Sequence, residues 1–214
     1  MKWRTTWVLV FQAAKDTASE KETIWSSAKQ YALKYRVPPA QCFANEDGGG
    51  KMFTKLDKGS LKGLQGNDKL IIVAHGAVDH LTALKSFMST TGAARLCREL
   101  FSAGLREVGL ISFKACYIGR QNFLEDLVAE FTKNGMLVGW LKGYMGAAAT
   151  VGLFGKVTEQ ITVEIHNEDG GTADETLHGQ KRWWVVNGNM PATKRVSERY
   201  KGYFTESVGL AEVV

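Results

Sequence analysis

The segment KLIIVAHG at 69–76 decides the fold, and VGLISFKACYIG at 108–119 repeats its logic. Each is a short run of β-branched and aliphatic residues, the pattern of a strand buried on both faces in a parallel sheet. Each also carries a reactive side chain just past the apolar run, His75 in the first and Cys116 in the second. On neighbouring parallel strands, the imidazole and the thiol would emerge at one carboxyl edge, where open α/β sheets bind their ligands. A thiol beside an imidazole is a nucleophile beside its base.

Outward from these strands, the chain alternates in the manner of a doubly covered sheet. Residues 7–11, WVLVF, form a first strand. Apolar positions spaced three and four apart from Ile24 to Tyr35 predict an amphipathic helix over 18–35, stopped by Pro38 and Pro39. A weaker strand is expected at 41–44, ahead of the turn-rich NEDGGG at 45–50, whose spacing to Lys51 does not fit a phosphate-binding loop. Helices over 91–103 and 121–133 follow the two reactive strands, and 136–140 adds another short strand. Strand–helix units in series predict a mostly parallel central sheet of about six strands with helices on both faces. Past Gly143 the small, flexible segment to Gly155 gives way to β runs at 161–166 and 182–186, read as a C-terminal β-hairpin or antiparallel edge.

The bulk composition narrows the classes. With 214 residues, 44% hydrophobic content and 23% charge, the chain reads as a single globular domain spanning 1–214. Its net charge of +5 is spread along the sequence, so a nucleic-acid partner is not expected. Three cysteines without a CxxC pattern argue against a disulfide framework or zinc knuckle, and four histidines without an HExxH pattern argue against a metal centre. The N-terminal run WVLVF is too short for a signal-peptide core or a membrane span. No cofactor is implied, and the expected setting is the cytoplasm, or secretion as an effector without a classical signal peptide.

Taken singly, a histidine at a strand end or a cysteine after an apolar strand reads as structural; the pairing in consecutive strand units points to chemistry. Chain order excludes an α/β-hydrolase elbow, because Lys114 and Ile118 stand where that turn needs small residues. Trp183-Trp184 reads as core packing, since adjacent strand residues face opposite ways.

His75-Gly76 after one hydrophobic strand and Ala115-Cys116-Tyr117-Ile118-Gly119 after the next resemble the caspase-like clan of cysteine peptidases, closest to CHAT proteins and the cysteine protease domains of bacterial toxins. The resemblance covers roughly 69–143 and implies a caspase-like α/β/α sandwich. It implies Cys116 as nucleophile, His75 as general base and proton shuttle, and the N–H groups of Gly76 and Cys116 as oxyanion donors. Residues 136–146, with Trp140, Lys142 and Tyr144, would form one wall of the substrate pocket. The implied partner is a protein or peptide substrate, with Lys181-Arg182 and Lys194-Arg195 as a site for an acidic or polyphosphate activator. The resulting expectation is a cysteine endopeptidase; a cysteine-dependent protein deamidase and a non-catalytic α/β partner-binding module are the alternatives.

Overall fold

The computed structural model describes residues 3–48, 50–84, 92–166 and 172–196. Its main sheet has seven strands in the order β10-β6-β5-β4-β1-β2-β3. Strands β1 (Thr6–Phe11), β2 (Cys42–Ala44), β3 (Thr54–Lys55), β4 (Lys69–Ala74), β5 (Glu107–Lys114) and β6 (Leu137–Tyr144) run parallel, and β10 (Trp183–Asn187) is the antiparallel edge. A second, antiparallel sheet of β7 (Ala147–Leu153), β8 (Lys156–His166) and β9 (Thr172–Leu177) lies between β6 and β10 in the chain.

Alternation along the central strands assigns the two faces. Leu70, Ile72, Ile111 and Phe113 pack into a core with helices α2 (Gly92–Ser102) and α3 (Phe123–Lys133). Ile71 and Val73 join Val8 and Val10 against helix α1 (Ala18–Tyr35) on the other face. The result is an α/β sandwich with helices on both sides. Helix α1 begins at a capping box, in which Thr17 and Glu20 satisfy each other's backbone N–H, and ends at Arg36 in the left-handed conformation.

Of the two readings of the C-terminal β runs, a hairpin or an antiparallel edge, the edge holds for the second run, and the two runs do not pair with each other. The run 161–166 is the end of β8 and pairs with β9, whereas Trp183–Asn187 closes the main sheet against β6, with Trp183 opposite Tyr144. Strand β7 was hidden by its composition: AAATVGL lacks the bulky alternation that marks a strand, yet small residues are what its position requires. A Cβ on Gly152 would stand 2.9 Å from the Gln30 side chain of α1, and one on Gly146 only 2.1 Å from the Thr162 carbonyl oxygen. The turn between β8 and β9, and Arg199, Tyr200 and Lys201 of the basic C-terminal segment, lie outside the described residues.

One buried carboxylate anchors the opposite edge from the reactive residues. Asp68, fully buried, precedes β4 and accepts hydrogen bonds from the Arg4 guanidinium, the Thr5 N–H and hydroxyl, and the Gln65 N–H, the last three at 2.9–3.0 Å. Standing at the other end of β4 from His75, it cannot orient the imidazole. Asp68→Ala leaves two backbone donors without their acceptor, and we expect a loss of about 2–4 kcal/mol, read as a lower urea midpoint at unchanged m-value.

Candidate active site

Strands β4 and β5 are direct neighbours, with Val73 opposite Lys114, so His75 and Cys116 leave the same edge of the sheet. The segment after β4 folds straight back: the Thr82 N–H donates to the His75 carbonyl oxygen at 2.9 Å and the Ala77 N–H to that of His80, also at 2.9 Å. This tight loop fixes Gly76 against the other strand end. A Cβ at Gly76 would lie 2.5 Å from the Cys116 carbonyl oxygen and 3.1 Å from its nitrogen, so only glycine permits the two backbones to approach this closely. Among the described residues, no hydrogen bond occupies the N–H of Gly76 or of Cys116.

The cysteine loop is held from its other side by the β6–β7 connection. The Tyr117 N–H donates to the Gly146 carbonyl at 3.0 Å and the Gly119 N–H to the Tyr144 carbonyl at 2.8 Å. Tyr117 adopts the left-handed conformation, φ +58°, a costly choice for an aromatic residue and one that such interlocked contacts sustain. The Cys116 sulfur accepts a hydrogen bond from the Ala148 N–H of β7 at 3.3 Å. It is half-buried, in contrast to the buried Cys42 and Cys97, whose thiols burial pushes up to about 11.

His75 is half-buried, and its Nε2 atom is enclosed with no hydrogen-bond partner among the described residues. The imidazole makes no hydrogen bond to the sulfur, which is engaged by Ala148. Glu20, in the first turn of α1, is a charge that sequence reading missed. Hydrogen bonds from Thr17 hold its carboxyl below the usual range, and the field of His75 adds to the effect.

The residues expected to contact substrate separate. Trp140 is core: it is 3% exposed, packs with Leu110 and Val185, and donates its indole N–H to the Val196 carbonyl at 3.0 Å, leaving no surface for a substrate. Tyr144 is likewise buried, its hydroxyl 3.1 Å from that of Tyr31. Lys142 lines a different feature, an open pocket of about 380 Å³ between the sheet face, β8 and the end of α1.

That pocket is strongly cationic. Lys34, Lys69, Lys114, Lys142 and Arg182 line it against a single carboxylate, Glu159. Glu159 accepts from Lys114 at 2.7 Å and from the Tyr31 hydroxyl at 2.6 Å. Burial alone would raise its pKa, but the Lys114 charge and these hydrogen bonds prevail and hold it at about 2. The surplus positive charge also lowers the neighbouring lysines, where it disfavours the charged form. Burial, reinforced by Lys114, lowers Lys142 to about 7, and burial with Lys114 and Lys142 lowers Lys69 as well. Aromatic faces offset part of this strain: Lys69 Nζ lies 4.0 Å from the Tyr35 ring centroid, and Lys142 Nζ 3.5 Å from that of Trp183. The four basic residues expected to form an activator site are not gathered in one place. Arg182 lines this pocket, but Lys181 and Lys194 are exposed, and Arg195 caps the carbonyls of Gly188 and Met190.

A lysine lowered to about 7 in the fold and titrating near 10.4 when unfolded leaves the unfolded chain with more bound protons between those values. Stability therefore rises with pH across that window, by up to about 1.4 kcal/mol per unit for each such lysine. We expect urea titrations at pH 7 and 9 to show this rise in the wild type and a flatter dependence in Lys142→Met. Compared with known proteins, the chain matches no family model, no curated protein and no solved structure.

Proposed function

We propose that this chain is a cysteine endopeptidase of the caspase-like kind. Cys116 attacks the scissile carbonyl while His75 takes the thiol proton; the N–H groups of Gly76 and Cys116 receive the developing oxyanion. The amine leaves with the proton from His75, and a water activated by the same imidazole hydrolyses the thioester. The observation that supports this reading is the close backbone approach of Gly76 to Cys116, where among the described residues neither N–H has a hydrogen-bond partner. Each such donor is worth about 10²–10³ in rate when aimed at an oxyanion.

A polyphosphate is the second partner in this proposal, with the cationic pocket as its site and activation as its effect. Lys114 stands two residues before Cys116 and grips Glu159 of β8; β8 pairs with β7, and the Ala148 N–H of β7 holds the sulfur. An anion drawing on the pocket lysines thus acts through two adjacent strands on the nucleophile. The setting remains the cytoplasm or secretion as an effector; among the described residues no helix is long and apolar enough to cross a membrane.

An electrophilic thiol probe tests the catalytic pair. Cys116 should label at least tenfold faster than Cys42 and Cys97, and His75→Ala, with an unchanged melting temperature, should remove that preference; equal and slow labelling of all three would favour a binding module instead. Tripolyphosphate tests the pocket. It should raise the melting temperature of the wild type and not of Lys142→Met, and its affinity should weaken as pH rises through about 7, where Lys142 gives up its proton.

A further inference from the structure

The connection between β7 and β8 is a two-residue turn, Phe154-Gly155, with Leu153 paired to Lys156. Both turn residues have positive φ, +50° for Phe154 and +78° for Gly155, the geometry in which Asn-Gly is the favoured pair. A phenylalanine there carries backbone strain, and it gains no packing in return. Phe154 is 86% exposed and Leu153 66%. Two large apolar side chains thus crown the tip of a hairpin, one of them at a position that a small polar residue would fill with less strain.

The tip is seated firmly. The Gly155 N–H donates to Gln30 Oε1 at 2.8 Å, and a Cβ at Gly155 would stand 3.0 Å from the Lys34 nitrogen and 3.2 Å from the Leu33 carbonyl carbon in the last turn of α1. Leu33, itself 48% exposed, extends the apolar surface. Exposed cations surround it: Lys29 and Arg36 flank Leu33 along the helix, Lys34 adjoins it, and Lys156 follows the turn. No acidic residue occurs in 29–41 or 148–158.

We infer that this tip docks on the surface of an anionic phospholipid bilayer. A convex pair of apolar side chains ringed by cations alone suits the interface of such a membrane, where headgroups attract the lysines and arginine while the apolar residues reach the acyl boundary. The inference is independent of the peptidase reading, since neither His75 nor Cys116 takes part.

Co-sedimentation with large vesicles tests it, comparing pure phosphatidylcholine with a mixture containing phosphatidylserine. The wild type should pellet with the mixed vesicles only and be released by high salt. Phe154→Asn should lower partitioning about tenfold or more while holding or raising the melting temperature, because asparagine suits the turn better. Lys29→Glu and Arg36→Glu should each lower it by about fivefold or more. Lys142→Met, in the cationic pocket, should leave it unchanged. Failure of the wild type to bind mixed vesicles, or undiminished binding by Phe154→Asn, overturns the inference. So does a concentration-dependent dimer that Phe154→Asn dissolves, which would assign the tip to a second copy of this chain.

Discussion

The carboxylate of Glu159 is the constraint on which the rest of the architecture leans. It is gathered by Lys114 from β5 and Tyr31 from α1, with Tyr144 from β6 hydrogen-bonded to Tyr31 in turn. Three separate layers of the molecule meet on one charged group. Without it, β8 would lay Val157 and Thr158, with no countercharge, on a sheet face that already carries Lys69, Lys114 and Lys142. A buried charge persists only when it is paired and hydrogen-bonded, and Glu159 meets that condition through groups drawn from α1 and β5. The position of β7, and so of the Ala148 N–H on the Cys116 sulfur, follows from where Glu159 pins its neighbour strand.

The two faces of the sheet consequently serve different ends. Beneath α2 and α3 the strands present an uninterrupted apolar surface, a core of aliphatic and aromatic side chains. On the opposite face α1 covers only part of the sheet. The remainder, over β5 and β6, is closed by the second sheet around polar and charged residues. One consequence is proximity: Lys114 and Cys116 belong to the same strand end, so the charge in the pocket and the thiol at the rim are separated by a single residue, Ala115.

Much of this was legible in the sequence because burial on both faces leaves a strong trace. The runs at 69–74 and 108–113 had no polar alternation to mislead, and the helices over 18–35, 91–103 and 121–133 announced themselves by spacing; each matches an observed element to within two residues at either end among the described residues. The shared edge of His75 and Cys116 followed from strand adjacency alone. What could not be read was anything fixed by long-range contact. Strand β7 is mostly alanine, glycine and threonine where a helix and a thiol crowd it, and such residues look like a linker from sequence. The cationic pocket draws its lysines from positions 34, 69, 114 and 142, each of which alone looks like a solvated side chain. Trp140, named for substrate contact, owes its burial to β10 and to the segment around Val196, both far along the chain.

The antiparallel edge strand holds a last implication. Because Trp183 sits opposite Tyr144, residues 145–182 depart from the main sheet and return to it at adjacent points. A chain that leaves and re-enters at one spot can change in length or content at small entropic cost to the framework beneath it. The parallel sheet and its helices thus form a chassis, and room for such change lies in the parts of the excursion away from Gly146, Ala148 and Glu159, which tie it back to the Cys116 loop and to Lys114.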